Sequence, residues 1–162
     1  MEINDELTSD LWEEVLDKGY SFRFKAFGVS MLPLIRAGDI LTIKPVEYVD
    51  LSIGDIILYE NNSKPFVHRI IKIRRLENSF IFITKGDFLR RTDQSIKSPQ
   101  ILGKLAYLER NGNRIHFNTL FMRIVGYIIA LFYPLTYPIL NGSLQILIIA
   151  SRFKKKINKI FY

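Results

Sequence analysis

The chain has 162 residues and no cysteine, which suits one compact domain with an appendage and excludes disulfides and thiolate metal sites. Its net charge of +7 is unevenly distributed, because no acidic residue follows Glu109 whereas eight of the 23 basic residues do. A basic, apolar C-terminal part behind a nearly neutral body favours a membrane surface over nucleic acid as a partner. The first residues are acidic and polar and do not resemble a secretion signal.

A short amphipathic helix is predicted over residues 10–18. Asp10 is a candidate N-cap, with Glu13 three positions later as in a capping box. Gly19 is a plausible C-terminal stop. An apolar stripe would pack this helix against the domain, and it comprises Leu11, Trp12, Val15 and Leu16.

From residue 21 the apolar residues recur with a period of two, which is typical of half-buried strands. The strand candidates are 21–27, 40–44, 55–60, 66–74, 80–84, 101–108 and 114–117. Turn dipeptides separate them at positions 38–39, 54–55, 61–62, 77–78, 86–87 and 111–112. Several short strands at this spacing predict a mainly β fold, built as an antiparallel sheet or a barrel-like domain.

The segment 27–39 places Ser30 in a turn-prone loop, with Pro33 after it and Gly38-Asp39 at its end. A serine hydroxyl is a poor nucleophile until a neighbouring base takes its proton. Residues 31–36 have the pattern of a short helical turn, with proline early in it. Backbone N–H groups at the start of such a turn could receive a developing oxyanion.

His68 lies in a strand candidate and is the residue that could act as the base, because an imidazole can accept a proton near neutral pH. Asp87 and Asp93 follow it and could orient the imidazole. A strand histidine and a Gly-Asp dipeptide can also be purely structural, so the residue types alone leave both interpretations open. His116 is interpreted as a surface or interface residue.

Four segments together resemble the boxes of the signal peptidase I superfamily, and more closely those of its bacterial S24/S26 members. They cover about residues 18–110, in the order that the family shows. The matching stretches are Gly28-Val29-Ser30-Met31-Leu32-Pro33, Gly54-Asp55-Ile56-Ile57-Leu58-Tyr59, Val67-His68-Arg69-Ile70 and Thr84-Lys85-Gly86-Asp87. The histidine in the third box makes the endoplasmic-reticulum and archaeal branch, which uses serine, histidine and aspartate, the better match.

The resemblance implies a β-rich catalytic domain that cleaves exported precursor polypeptides. It assigns Ser30 as the nucleophile and His68 as the base. Asp93 is the preferred orienting residue and Asp87 a second support, although Asp87 could merely close a turn. Many family members carry a hydroxyl residue two positions before the nucleophile, where this chain has Gly28. The backbone N–H of Ser30 would then have to act with another donor to hold the oxyanion.

The C-terminal part contains 28 consecutive residues without a charge, from Ile124 to Ser151. Proline and polar residues divide it into apolar pieces near 124–133 and 144–150, each too short to span a bilayer alone. A kinked spanning helix, a pair of interfacial helices and an internal core segment remain open alternatives. Tyrosines suit an interfacial belt, and the basic run at 152–156 suits anionic headgroups.

These observations predict a catalytic domain at 1–118, with the short N-terminal helix, and an apolar helical membrane-associating segment at 119–162. The expected function is a membrane-associated serine endopeptidase acting on precursor or leader peptides. A spanning segment would leave the lysine-rich end in the cytoplasm, and an interfacial attachment on that side is equally compatible with the sequence. No cofactor, metal or nucleic acid partner is expected. The alternatives are a non-catalytic membrane-binding or regulatory module and, more weakly, a self-cleaving DNA-binding repressor.

Overall fold

The computed structural model describes residues 12, 14–16, 18–77, 79–135, 137–139 and 141–142. Its main element is one sheet of eight strands. The strands are β1 (Phe22–Lys25), β2 (Ile40–Lys44), β3 (Ile56–Asn61), β4 (Lys64–Leu76), β5 (Ser79–Lys85), β6 (Ile96–Lys97), β7 (Ile101–Arg110) and β8 (Asn113–His116). The helix α1 (Leu120–Leu131) follows, and 3-10 turns lie at Tyr48–Asp50 and Ser98–Gln100. The predicted mainly β fold is confirmed.

Every pairing in the sheet is antiparallel, and the strand order is β1-β2-β7-β3-β4-β5-β6, with β8 paired to β7. The long strand β7 joins the two parts of the sheet, because β2 and β3 both pair with it. Register shifts interrupt the pairing of β2 with β7, β3 with β7 and β4 with β5. Such irregularities bend and twist a sheet locally, which lets it curve around a core.

Two apolar clusters form the core. The larger one includes Trp12, Met31 and Ile35 together with side chains from β2, β3 and β7. The smaller one lies around Tyr59 and Phe82. Because side chains alternate across a strand, neighbouring residues of β3 contribute to different clusters. The segment 27–39, which is the Ser30 loop, is therefore anchored by the burial of Met31 and Ile35 in the larger cluster.

The predicted strands are all present, with ends that differ by no more than two residues. The two-residue strand β6 was not predicted, because it is too short to show a period. The predicted helical turn at 31–36 is a run of tight turns and not a regular helix, although the Ile35 amide donates to the Met31 carbonyl at 3.0 Å. Residues 14–16 are helical, and the chain leaves the helix at Gly19 with φ of +81°. Asp10, Leu11 and Glu13 lie outside the described residues.

The helix α1 packs against the sheet through its two buried small residues, Gly126 and Ala130. A Cβ atom on Gly126 would lie 2.6 Å from the Gly54 carbonyl oxygen, so the two backbones touch. Gly54 has φ of +98°, a conformation that side chains other than glycine rarely adopt. This contact joins α1 to the loop before β3.

The opposite side of α1 is exposed and apolar, so α1 is not an internal core element. Its exposed large apolar residues are Leu120, Phe121, Ile124, Tyr127, Ile128 and Leu131. Within the described part of the chain, no single helix is long and apolar enough to cross a bilayer. By length and composition alone, α1 and the helical residues Tyr133–Ile139 could do so together, but they meet at a bend of 70°. The predicted apolar piece at 144–150 lies outside the described residues.

Candidate active site

Ser30 lies in the loop that follows β1, and it is held there from two directions. The Phe88 amide donates to the Ser30 carbonyl at 2.8 Å, and Met31 beside it is buried in the larger core cluster. Gly28 begins this turn with φ of +84°. That left-handed conformation favours glycine over residues with a side chain, which gives a physical reason for glycine at this position.

His68 lies on β4, directly opposite Ile57 of β3, and is 2 % exposed. Its Nε2 atom is 3.2 Å from the Ser30 Oγ atom. Its Nδ1 atom is 2.7 Å from an Asp93 carboxylate oxygen. A hydrogen-bonded chain therefore runs from hydroxyl to imidazole to carboxylate, with the imidazole buried between the other two groups.

Asp93 comes from the loop between β5 and β6, and Thr84 at the end of β5 holds it in place. The Asp93 amide donates to the Thr84 carbonyl at 2.9 Å. The Thr84 hydroxyl donates to the Asp93 carboxylate at 2.8 Å, on the same oxygen that contacts His68. One buried residue thus fixes both the backbone and the side chain of Asp93.

Hydrogen bonds keep Asp93 ionised. Burial acts to raise its pKa, but the hydrogen bond and the electrostatic attraction to His68, with further bonds from Thr84 and Tyr59, outweigh that effect and lower the pKa of Asp93 below 3.8. The Tyr59 hydroxyl is 3.3 Å from His68 Nδ1. Burial and then the nearby Asp93 charge raise the pKa of Tyr59, so its phenol stays protonated and remains a hydrogen-bond donor.

Asp87 has a different partner. Both of its carboxylate oxygens accept from Arg69, at 2.8 Å from Nε and 2.6 Å from Nη2. Arg69 also donates from Nη1 to the Gly54 carbonyl at 2.8 Å. Both side chains are almost fully buried. The structure thus brings Asp93, and not Asp87, into contact with His68, and Asp87 ties the Lys-Gly-Asp turn to β4.

Gly86 allows this turn to approach the Ser30 loop. A Cβ atom at Gly86 would lie 2.7 Å from the Ser30 carbonyl oxygen and 2.9 Å from Leu89. Lys85, just before it, is buried and donates to the Gly86 carbonyl at 3.3 Å. Burial lowers the pKa of Lys85, against the opposing influence of Asp87 and Asp93.

Three residues in this region were not assigned a role from the sequence: Tyr59, Thr84 and Arg69. Each lies inside one of the four matching sequence segments, and that position was the available signal of a role at the site. Their contacts depend on strand pairing, which the spacing of residues along the sequence does not reveal. His116 is exposed and lies edge-on to the Tyr107 ring, away from the hydrogen-bonded chain. Among the described residues, no cluster of three or more histidine, aspartate and glutamate side chains could hold a metal ion.

An apolar cavity of about 470 Å³ borders the Ser30 loop. Pro33 and Leu34 form one wall, and Ile129 and Phe132 of the C-terminal helical region form another. Arg110 lines the same cavity and donates to the Leu34 carbonyl and to both oxygens of Asp39. These bonds attach both the middle and the end of the Ser30 loop to β7.

The chain is similar to a known peptidase subunit. It is 29 % identical over 102 residues to the signal peptidase complex catalytic subunit SEC11 of Yarrowia lipolytica, and the match covers 61 % of this chain. The chain spans about half of that subunit, with 56 % of its length matched. No protein-family model matches the chain. The similarity to SEC11 confirms the resemblance to signal peptidases that the four boxes predicted.

Proposed function

We propose that this chain is a serine endopeptidase of the signal peptidase type, which cleaves exported precursor polypeptides at a membrane. The observation that carries the proposal is the hydrogen-bonded chain from Ser30 through His68 to Asp93. The similarity to a signal peptidase catalytic subunit supports the choice of substrate class. No cofactor is part of the proposed mechanism.

In the proposed mechanism, Ser30 Oγ attacks the scissile carbonyl carbon while His68 Nε2 accepts the hydroxyl proton. The C–N bond then breaks, and His68 returns that proton to the leaving amine. Water hydrolyses the acyl-enzyme, with His68 as the base again. The distance of 3.2 Å between Oγ and Nε2 is within the range for direct proton transfer.

Asp93 orients the imidazole and stabilises its protonated form. A carboxylate on Nδ1 requires a proton there, which leaves Nε2 as the acceptor that faces the serine. The lowered pKa of Asp93 keeps this group charged at neutral pH. Thr84 and Tyr59 support Asp93 and His68 as positioning residues, because neither would touch the reacting carbonyl.

The oxyanion would be held by the backbone N–H of Ser30 together with a second donor. Gly28 provides the left-handed turn that leads into this position. A backbone donor lost from such a site costs about 2.7–4 kcal/mol of transition-state stabilisation. Gly28 therefore supports the oxyanion site through the path of the backbone and not through a side chain.

The precursor would bind as an extended strand. Among the described strands, β1 has one neighbour, β2, and it leads directly into the Ser30 loop. Backbone pairing along its other side would bring the scissile bond toward Ser30. The C-terminal segment 119–162 would contact membrane lipid through the exposed apolar side of α1, giving a membrane-associated protein with no nucleic acid partner.

A cleavage assay with paired variants tests the proposal. Ser30→Ala and His68→Ala should each reduce cleavage of a model exported precursor by at least about 10⁴-fold, because each removes an essential part of the proton transfer. Ser79→Ala and His116→Ala are matched controls at exposed positions and should keep wild-type turnover. Wild-type turnover by either site variant would contradict the mechanism.

A further inference from the structure

The helix α1 carries one cation, Arg123, at the edge where its exposed apolar side meets a cavity beside the sheet. Arg123 is exposed and lies between Leu120 and Ile124, which are 72 % and 51 % exposed. Among the described residues, no ion pair to Arg123 is present. An arginine in such a surface can place its stem against apolar groups and its charge at a polar boundary.

Arg123 also forms one wall of a polar cavity of about 440 Å³ between the sheet and α1. Lys44 from the end of β2 and Lys104 from β7 line the same cavity. The amide side chain of Asn118 adds a further group that can donate hydrogen bonds. Three separate elements thus bring cations to one space.

The charges in this cavity are only partly compensated. Lys104 pairs with Asp55 at 2.8 Å, and Asp50 contributes one further carboxylate to the wall. Lys44 lies over the Tyr107 ring at 5.2 Å from its centre. Lys44 and Lys104 are also directly opposite each other in the β2–β7 register. Like charges in that position destabilise a sheet, and of the two lysines Asp55 pairs with Lys104 only.

We propose that this cavity binds the phosphate of an anionic membrane lipid, with Lys44, Arg123 and Lys104 as its cationic groups. The inference rests on the proposed membrane association and adds a headgroup site to it. The apolar residues next to Arg123 would face the acyl region, while the cavity would hold the headgroup. A membrane lipid fits better than a free phosphate ion, because the apolar surface and the cationic cavity share Arg123.

Vesicle binding by the full chain tests the inference, and it needs no cleavage. The two probes are vesicles of neutral phosphatidylcholine and vesicles that also contain anionic phosphatidylglycerol. Replacing both Lys44→Gln and Arg123→Gln should weaken binding to the anionic vesicles by about 30-fold, or roughly fivefold per charge. Binding to neutral vesicles should change little, since the apolar residues of α1 are kept.

The matched control replaces two exposed cations on the β4–β5 hairpin, Lys72→Gln and Arg74→Gln. It removes the same charge but should weaken anionic binding by less than about threefold, because neither residue lines the cavity. Equal losses for the two pairs would overturn the headgroup site and leave membrane association standing. Binding of inorganic phosphate without any vesicle binding would overturn both. Precursor cleavage, assayed separately, reports on the peptidase proposal alone.

Discussion

At the scale of single residues, the two aspartates differ in what they hold. Asp93 contacts the imidazole of His68 and has a lowered pKa. Asp87 forms a two-point ion pair with buried Arg69. Removing the charge of Asp93 should therefore lower the rate of cleavage, and removing the charge of Asp87 should lower the stability of the fold.

Asp93→Asn should lower kcat by about 10⁴-fold, because an amide on Nδ1 favours the wrong imidazole tautomer. Its stability should change far less than that of Asp87→Asn, which leaves the Arg69 charge buried without its counter-ion. Breaking such a buried pair costs about 3–5 kcal/mol. Cleavage kinetics and urea denaturation of both variants separate the two effects. A larger loss of kcat in well-folded Asp87→Asn protein would contradict the assignment.

The lowered pKa of Asp93 also predicts how stability depends on pH. Its pKa in the folded state is below the ordinary value of 3.8, so the folded state holds the ionised form more strongly than the unfolded state does. The stabilisation is fully present above pH 4 to 5 and is lost as pH falls through the folded-state pKa. The stability difference between the wild type and Asp93→Asn should therefore shrink below about pH 4.

Thermal unfolding of the two proteins over a series of pH values measures this difference. The comparison cancels the other carboxylates, because both proteins carry them. A difference that grows as the solution becomes more acidic would show that burial dominates at Asp93 and would contradict the predicted sign.

At the scale of elements, the turn at Lys85-Gly86-Asp87 positions the Ser30 loop. Gly86→Ala would bring a Cβ atom within 2.7 Å of the Ser30 carbonyl oxygen, where the Phe88 amide also binds. Overpacking of this kind costs about 1–3 kcal/mol. A shift of the serine by about 1 Å can reduce the rate by about 10²-fold. Cleavage by Gly86→Ala should therefore fall by about that factor.

Gly142→Ala is the matched control, because a Cβ atom there would meet no atom of the described residues within 4 Å. It should keep wild-type kcat/KM and should not lose thermal stability, because alanine is a better helix former than glycine. Wild-type activity in Gly86→Ala would mean that the turn and the Ser30 loop can move apart freely. That result would contradict a positioning role for the contacts between them.

The contact between α1 and the loop before β3 should reverse the usual effect on stability of replacing a helical glycine by alanine. Alanine in place of a glycine within a helix ordinarily stabilises it by about 1 kcal/mol. At Gly126 the new Cβ would lie 2.6 Å from the Gly54 carbonyl, which also accepts from Arg69. The clash costs about 1–3 kcal/mol, so Gly126→Ala should lower the free energy of unfolding by about 1 kcal/mol net.

Chemical denaturation measures this change. Ile128→Ala, on the exposed side of the same helix, serves as the control and should change stability by less than about 0.5 kcal/mol. An increase in the free energy of unfolding of Gly126→Ala would show that α1 is not packed against Gly54. The C-terminal segment would then not be fixed to the domain by this contact.

At the scale of the whole molecule, local patterns predicted the elements, whereas the pairings between them depend on tertiary contacts. Alternation predicted β1, where the half-buried residues Phe22 and Phe24 alternate with the exposed residues Arg23 and Lys25. The pairing of β7 with both β2 and β3 has no local signature. The same is true of the Arg69–Asp87 pair, which joins residues that are 18 positions apart.

In the C-terminal segment, too, local patterns predicted the element but not its tertiary contacts. Its apolar composition predicted a helix and a membrane contact, and α1 is present over Leu120–Leu131. That Gly126 would touch Gly54 could not be predicted, since the fit depends on the positive φ of a distant glycine. The division at 118/119 stays a prediction, and membrane contact stays a proposal supported by the exposed side of α1.

The central claim is that the Ser30 hydroxyl attacks the precursor, and trapping the acyl-enzyme tests it most directly. A model exported precursor, mixed with excess protein and quenched in acid, is followed by peptide mapping with mass spectrometry. We predict an ester between Ser30 and the N-terminal fragment that forms before product release and is absent from Ser30→Ala protein. Precursor cleavage by the Ser30→Ala protein would contradict the claim. An ester on a residue other than Ser30 would contradict it as well.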